Sequence, residues 1–497
     1  MAKKFQNYIG GKWVDSKTGR TFENRNPANW EELVGTFPLS NKEDVDQAVK
    51  AARKAFETWR LVPAPKRGDM LKKVGDLLTK YKEEIAEQMT REMGKVLLET
   101  RGDVQEGIDT AYYAASEGRR LFGHTVPSEL PNKFNMAMRV PIGVAAIITP
   151  WNFPMAIPTW KIFPALLCGN TVVFKPASDT PATATRLVEI LLEAGVPPGV
   201  INIVHGGGSE VGISLVEHPD VDLVSFTGST GVGKRISEVA SKTLKRVSLE
   251  LGGKNAQIVM DDANLELALE GVLWGAFGTT GQRCTATSRL IVHEKVYDKF
   301  VDMVVDHTKK LRLGDGLKPN VDVGPCVNEG QQRTVDEYVK IGTEEGARVL
   351  AGGKTAKQGD LARGWFYEPT VLGGVTPAMR VAREEIFGPV LSVIRIKSLE
   401  EAIDISNNTA YGLSSSIYTQ NINNAYQAIR DIRAGITYVN SPTIGAEAHM
   451  PFGGVKETGN GHREGGWTVY EFFSEWKTVY VDYSGTLQRA QIDNVEN

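Results

Sequence analysis

Short apolar segments alternate with helical patterns from about residue 143 to residue 251, and this alternation constrains the fold more than any other feature. Strands separated by helices of this length form right-handed crossovers, so the strands run parallel within one sheet. Such an arrangement is typical of nucleotide-binding domains. The predicted strands are Val144–Ile148, Thr171–Lys175, Val200–Val204 and Val221–Phe226, and the predicted helices are Ala182–Ala194, Ser209–Glu217 and Gly233–Thr243.

A second alternation begins after Gly253 and continues to about Asn440. Because 497 residues exceed what one ordinary core holds, we expect an α/β protein of more than one domain. Two extended segments fall outside both alternations, a proline-punctuated one at 124–142 and a β-rich one at Trp476–Tyr483. Each edges its own sheet or extends the sheet of a partner chain, and the residues alone leave both alternatives open.

The first hundred residues predict packing elements without chemistry. Tyr8 to Val14 has the pattern of a hairpin around Gly10 and Gly11. Ser40 and Glu43 have capping-box spacing, which predicts that a helix begins after Ser40. A longer amphipathic helix is predicted over about 66–94.

Composition excludes several classes of function. The net charge is −3 with no basic block, so neither nucleic acid nor an anionic membrane is an expected partner. The N-terminus lacks the apolar core of a signal peptide, and three cysteines are too few and scattered for a disulfide framework or a zinc site. We therefore expect a cytoplasmic protein without a metal.

A carboxylate and a thiol, Glu250 and Cys284, each lie beside glycines that let a ligand approach the backbone. Glu250 begins the run Glu-Leu-Gly-Gly-Lys-Asn, and Cys284 ends the run Gly-Gln-Arg-Cys. A cysteine thiolate attacks carbonyl carbon, and a glutamate withdraws a proton from water. The pair therefore predicts covalent catalysis followed by hydrolysis.

Three further runs follow predicted strands, where ligands of open α/β sheets bind. Thr149–Pro154 contains Asn152, whose side-chain amide suits an oxyanion. Phe174–Ser178 contains Lys175, which can reach a ribose or a phosphate. Thr227–Gly233 is a glycine loop before a helix, a common phosphate-binding element, although its G-x-x-G-x-G spacing is not the dinucleotide fingerprint.

Two more runs, Glu384-Glu385-Ile386-Phe387-Gly388-Pro389 and Pro451-Phe452-Gly453-Gly454-Val455-Lys456, complete the pattern. Together and in this order, all of these runs resemble the aldehyde dehydrogenase superfamily over nearly the whole chain. The resemblance implies a nucleotide-binding domain (1–123 and 143–252), an α/β catalytic domain (253–475) and a small β oligomerisation arm (124–142 and 476–497). It also favours a homo-oligomer, either a dimer or a dimer of dimers.

The resemblance implies a role for each residue of the runs. Cys284 is the nucleophile, Glu250 is the general base, and Asn152 donates to the oxyanion together with the backbone amide of Cys284. Phe153 and Phe452 shape the substrate wall. The cofactor-binding residues that it implies are Trp151, Lys175, Ser178, Gly228, Ser229, Gly233, Leu251, Glu385 and Phe387.

Ser178 bears on the choice of cofactor. Relatives that prefer NAD often carry a glutamate three residues after the lysine, where it accepts the ribose hydroxyls and repels a 2′-phosphate. With Ser178 at that position and Lys175 nearby, the resemblance favours NADP, with NAD as a weaker or comparable alternative.

Arg283 directly precedes the proposed nucleophile and bears on the choice of aldehyde. An arginine there can pair with the distal carboxylate of a semialdehyde, and 2-oxoglutaric semialdehyde is the specific substrate that we expect. Alternatively, Arg283 points away into a salt bridge. Trp160 stands where some semialdehyde enzymes of the superfamily have a carboxylate-binding arginine, which argues against a semialdehyde and leaves a broad-specificity aldehyde dehydrogenase as the alternative.

Other classes of function are less consistent with the sequence. CoA-acylating relatives typically lack the general-base glutamate, whereas Glu250 is present. A structural protein on the same scaffold would not need Cys284, Asn152 and Glu385 together. The seven histidines show no pairing with Cys284, which disfavours a Cys–His protease.

Overall fold

The computed structural model describes residues 3–492. Its strands are β1 (Lys3–Lys4), β2 (Asn7–Ile9), β3 (Lys12–Val14), β4 (Thr21–Asn26), β5 (Asn29–Pro38), β6 (His124–Pro127), β7 (Lys133–Pro141), β8 (Val144–Ile148), β9 (Thr171–Lys175), β10 (Ile201–Ile203), β11 (Leu223–Thr227), β12 (Arg246–Glu250), β13 (Asn255–Val259), β14 (Thr287–His293), β15 (Arg348–Ala351), β16 (Thr370–Gly373), β17 (Val390–Ile396), β18 (Ser414–Tyr418), β19 (Ile436–Val439) and β20 (Ser474–Asp482).

The α-helices surround these strands. They are α1 (Lys42–Trp59), α2 (Ala64–Lys80), α3 (Lys82–Met93), α4 (Leu97–Glu117), α5 (Ala156–Cys168), α6 (Pro181–Ala194), α7 (Ile213–Glu217), α8 (Thr230–Ser241), α9 (Leu265–Phe277), α10 (Glu294–Thr308), α11 (Glu329–Glu344), α12 (Arg380–Arg383), α13 (Leu399–Asn407), α14 (Ile422–Asp431) and α15 (Val469–Phe473). None of the helices within residues 3–492 has the length and apolarity needed to cross a membrane.

The first large sheet has seven strands in the order β12-β11-β8-β9-β10-β2-β3. Its first five strands are parallel, and the hairpin of β2 and β3 extends the sheet antiparallel to β10. Every residue of β8, β9 and β11 is buried, because helices cover both faces. The predicted parallel-sheet α/β class is confirmed, with shifts of one or two residues in the bounds of β10 and β11.

The second large sheet also has seven strands, in the order β15-β16-β17-β14-β13-β18-β19, with only β15 antiparallel. The chain passes from β12 of the first sheet to β13 of the second through residues 251–254. Glu250 therefore ends a strand of one sheet just before the chain enters the other.

The two extended segments pair with each other. β20 runs antiparallel to β7, with Trp476 opposite Arg139, and β6 pairs with the other side of β7. Residues 493–497 of the predicted oligomerisation element, and residues 1 and 2 of the predicted nucleotide-binding domain, lie outside the described residues. The division into domains and their roles stays a prediction.

Three local predictions need correction. The capping box of α1 uses Asn41 and Asp44 instead of Ser40 and Glu43, because Ser40 is engaged by the side chain of Asn7 at 2.8 Å. The helix predicted over 66–94 is two helices that meet at Tyr81. The helix predicted to begin at Gly233 begins at Thr230, so Gly233 lies in its first turns.

Candidate active site

A cavity of about 310 Å³ lies between the carboxyl ends of β8, β11 and β12, helix α11 and the loops that carry Cys284 and Glu385. Two glycines of the lining have no room for a side chain. A Cβ at Gly252 would come within 2.3 Å of Glu385 Oε2, and one at Gly228 within 2.5 Å of the Phe226 ring. Of the residues predicted from sequence, eight line it together, namely Trp151, Asn152, Gly228, Ser229, Leu251, Cys284, Glu385 and Phe387.

Cys284 is half-buried on the loop between α9 and β14. Thr279 and Thr280 precede it in left-handed conformations, which turn the chain sharply after α9. The side chain of Asn255 donates to the Cys284 carbonyl oxygen at 2.7 Å and fixes the end of the loop. Burial, reinforced by the carboxylates of Glu385 and Glu250, raises the pKa of the Cys284 thiol to about 12.

Glu250 ends β12 and is buried. A Cβ at Gly453 would lie 2.5 Å from Glu250 Oε1, so the glycine-rich run at 451–456 closes over this carboxyl group. Burial, together with the charge of Glu464, raises the pKa of Glu250 well above its usual range. Lys161 donates to Glu464 at 2.6 Å and to Ser225 at 3.0 Å, which anchors this second buried carboxylate.

Asn152 follows β8 and its side chain is buried. Its Nδ2 donates to the carbonyl oxygen of Gln282 at 3.1 Å, which joins the loop after β8 to the loop that carries Cys284. The side-chain amide of Asn152 therefore lies next to the loop that carries Cys284.

Glu385 and Phe387 line the same cavity as Gly228 and Ser229 of the glycine loop. Glu385 Oε1 accepts from the Gly253 amide at 2.9 Å, and burial raises the pKa of Glu385 to about 7. Phe387 has a positive φ of 57° and meets the ring of Trp151 edge-on, with 5.4 Å between centroids. A carboxylate, an aromatic wall and the free amides that begin α8 fit the ribose, nicotinamide and pyrophosphate of a dinucleotide.

Lys175, Ser178 and Gly233 lie beyond the cavity wall. Lys175 ends β9, where burial lowers its pKa to about 8, and its Nζ donates to the carbonyl oxygen of Pro176. Ser178 donates to the Gly206 carbonyl oxygen at 3.3 Å. Gly233 contacts Leu251, since a Cβ there would be 2.5 Å from the leucine side chain.

The three residues predicted to contact substrate lie outside the cavity lining, and each contacts another side chain. Phe452 packs against Trp160 with 4.9 Å between ring centroids. Arg283 donates to Glu99 at 2.9 Å, and its guanidinium carbon lies 5.5 Å from the centre of the Phe153 ring. Of the two alternatives for Arg283, the structure has the salt bridge.

Sequence reasoning did not single out Gln331, Lys161 or Glu464. Gln331 lines the cavity and donates to the carbonyl oxygens of Ile386 and Phe387 at 3.0 and 2.8 Å, which holds the Glu385 loop. Lys161 and Glu464 are 303 positions apart and carry no local signal. The only sequence feature that marks Gln331 is its place in the first turn of a capped helix, which is a weak signal for a residue of a binding site.

Comparison with known proteins assigns the chain to a family. The model of the "Aldehyde dehydrogenase family" matches residues 13–479. An alpha-ketoglutaric semialdehyde dehydrogenase of Bacillus subtilis (strain 168) is 44% identical over 96% of this chain and 98% of its own. An alpha-ketoglutarate semialdehyde dehydrogenase of Haloferax volcanii is also 44% identical, over 97% of this chain and 100% of its own. A 2,5-dioxopentanoate dehydrogenase of Saccharolobus solfataricus is 42% identical over 95% and 98%.

Solved structures agree with this assignment. The NAD-dependent aldehyde dehydrogenase of Sinorhizobium meliloti superposes with a TM-score of 0.94 at 39% identity, covering 98% of this chain and 96% of that one. An NADP-dependent enzyme of E. coli superposes with a TM-score of 0.93 at 37% identity, covering 96% and 98%. This chain belongs to the aldehyde dehydrogenase family, and the expectation of an NAD(P)-dependent aldehyde dehydrogenase is confirmed.

Proposed function

We propose that this enzyme oxidises a semialdehyde, an aldehyde with a carboxylate at its far end, and that 2-oxoglutaric semialdehyde is its substrate. The observation that carries the proposal is the 42–44% identity, over at least 95% of the chain, to three dehydrogenases of that compound, which is also called 2,5-dioxopentanoate.

In the first step that we propose, the sulfur of Cys284 bonds to the aldehyde carbon and the thiol proton leaves to solvent. Because the thiol is protonated at neutral pH, only its small thiolate fraction reacts, and holding the aldehyde close to the sulfur compensates for that fraction. The aldehyde oxygen becomes an oxyanion that accepts from the Asn152 side chain and the Cys284 backbone amide.

A nicotinamide cofactor, when bound, would supply the acceptor for the hydride that leaves the substrate carbon. In our proposal Glu385 would hold the adjoining ribose, and the contacting rings of Trp151 and Phe387 would form one wall for the nicotinamide, while Gln331 holds the loop that carries Glu385 and Phe387. Loss of the hydride converts the thiohemiacetal on Cys284 to a thioester.

Glu250 completes the cycle in this proposal. Its carboxylate takes a proton from a water molecule, the water oxygen bonds to the thioester carbon, and the Cys284 sulfur leaves as a thiolate. The raised pKa of Glu250 makes it a stronger base than an exposed glutamate once it is ionised. Its presence supports hydrolysis over transfer of the acyl group to CoA.

A substrate panel tests the proposed class of aldehyde. We expect kcat/KM for 2-oxoglutaric or succinic semialdehyde to exceed that for butanal or pentanal on the order of 10- to 100-fold, the effect of one charged hydrogen bond. Initial rates of cofactor reduction at 340 nm measure this. Equal values for charged and neutral aldehydes would instead support a broad-specificity enzyme, and acyl-CoA formation on adding CoA would support the acylating alternative.

We also propose that NADP is the preferred cofactor. Lys175 provides a cation close in sequence to Ser178, whose side chain is neutral and shorter than a glutamate. The neighbouring carboxylate of Asp179 accepts from Asn328 at 2.8 Å, which partly offsets its repulsion of a phosphate.

Ser178→Glu should shift the ratio of kcat/KM for NADP over NAD towards NAD, on the order of tenfold or more, because the new carboxylate repels a 2′-phosphate and accepts from ribose hydroxyls. Ser241→Glu, at the exposed end of α8, adds the same charge away from this site as a control. A hundredfold preference of the unaltered enzyme for NAD would end the proposal.

We propose further that the enzyme is a homo-oligomer in which the sheet of β6, β7 and β20 contacts a second copy. The sheet exposes Val126, Phe134, Trp476 and Tyr480, and β20 is an edge strand. Light scattering of the purified protein should give a mass of two or four 54.4 kDa chains, and a mass of one chain would contradict the proposal.

A further inference from the structure

Two buried ion pairs lie along one side of α4, next to the loops that carry Cys284 and Asn152. Lys95, just before the helix, donates to Asp103 at 2.7 Å, and both side chains are fully buried. One turn away, Glu99 accepts from Arg283 at 2.9 Å, and these side chains are 3% and 10% exposed. Loss of one partner of such a pair leaves an uncompensated buried charge, so each pair constrains the loop that its members contact.

The first pair holds the loop of Asn152. Lys95 Nζ also donates to the Asn152 carbonyl oxygen at 3.0 Å. Asp103 Oδ1 accepts from the backbone amide of Ala156 at 2.7 Å, where α5 begins. The backbone on both sides of Phe153 is therefore held by charged groups from α4 and from the residues just before it.

The second pair holds the loop of Cys284. Glu99 Oε1 accepts from the Thr279 backbone amide at 2.6 Å, and Arg283 Nε donates to Thr279 Oγ1 at 2.9 Å. Thr279 has a left-handed conformation that a β-branched residue adopts only under strain. A salt bridge between Glu99 and Arg283 thus spans the turn and stabilises it at both ends.

We propose that Glu99 and Arg283 are positioning residues, which set the Cys284 sulfur against the Asn152 amide, and that Lys95 and Asp103 do the same from the amide side. Arg283 then acts through the loop, and its guanidinium is not the receptor of the substrate carboxylate. Its other neighbours agree with this role, since the rings of Trp274 and Phe153 lie 4.9 and 5.5 Å from the guanidinium carbon. The inference goes beyond the proposed substrate, because it applies to every aldehyde that the enzyme oxidises.

Steady-state kinetics of Arg283→Ala, Arg283→Lys, Glu99→Gln and the double variant Glu99→Gln/Arg283→Ala test this role, with succinic semialdehyde and butanal as matched charged and neutral substrates. Because a misplacement of about 1 Å can reduce the rate 100-fold, we expect Arg283→Ala to lower kcat 10- to 100-fold by the same factor for both aldehydes. KM should change little, Arg283→Lys should restore part of kcat, and the double variant should lose no more than Arg283→Ala.

A second readout follows the thiol directly. The rate of Cys284 alkylation by iodoacetamide, measured on the full-length protein, should change in Glu99→Gln and Arg283→Ala but not in a matched control. The control is Arg101→Ala with Glu83→Gln, an exposed ion pair whose arginine lies on the same helix. Should Arg283→Ala fail to fold, Arg283→Lys and Glu99→Gln carry the test.

Two results would overturn the inference. One is a loss in Arg283→Ala confined to succinic semialdehyde, with butanal unaffected, which would make Arg283 a substrate-binding residue. The other is wild-type kcat and alkylation in Glu99→Gln. Neither result depends on the substrate preference of the unaltered enzyme, so failure of the inference and failure of the proposed function are distinguishable.

Discussion

Cys284→Ala should lower kcat for aldehyde oxidation on the order of 10⁴-fold or more, to the limit of detection. Removing a nucleophile that forms the covalent intermediate has this effect because no other group can substitute for it. The assay is cofactor reduction at 340 nm with saturating aldehyde. Binding of NAD(P), measured by the quenching of tryptophan fluorescence, should persist, since Glu385, Trp151 and Phe387 are unaltered.

The other two cysteines provide the matched controls. Cys168 and Cys326 are buried, and burial raises the pKa of each thiol to about 12. Cys168→Ala and Cys326→Ala should destabilise the fold by about 1 kcal/mol or more through the cavity they leave, but folded protein should retain its kcat. Substantial turnover by Cys284→Ala would refute covalent catalysis through this residue.

The local pattern is sufficient to predict the strands that carry the site. β8 and β9 match the predicted segments residue for residue, because fully buried parallel strands have continuous apolar sequences. Asn152 and Gly228 each follow a predicted strand, so both are expected at the ligand-binding edge of the sheet. Their shared cavity with Cys284 is consistent with that expectation.

What the sequence could not predict depends on contacts between distant residues. The sequence left two orientations open for the Arg283 side chain, because its partner, Glu99, lies 184 positions away. No residue near Arg283 in the sequence indicates which way the side chain turns. Lys161 and Glu464 are likewise distant in sequence, 303 positions apart. The one-residue error in the capping box of α1 has a similar cause, since the contact from Asn7 to Ser40 spans 33 positions.

Glu250→Gln should lower steady-state kcat on the order of 10²- to 10³-fold while leaving the first turnover largely intact. The amide cannot take a proton from water, so the thioester on Cys284 accumulates, whereas its formation does not require the carboxylate. Stopped-flow absorbance at 340 nm should show a burst close to one equivalent of reduced cofactor per active site. Glu457→Gln, an exposed glutamate paired with Lys234, is a control that should keep both phases.

The dependence of kcat on pH is a second, independent test of Glu250 as the general base. A base works only when deprotonated, so hydrolysis should accelerate as the pH rises through the Glu250 pKa, and burial and Glu464 place that pKa well above the usual range for glutamate. When hydrolysis limits turnover, kcat of the unaltered enzyme should therefore climb with pH, and Glu250→Gln should lose this limb. A burst that disappears in Glu250→Gln would show that Glu250 also serves the acylation step, and an unchanged kcat would exclude it as the general base.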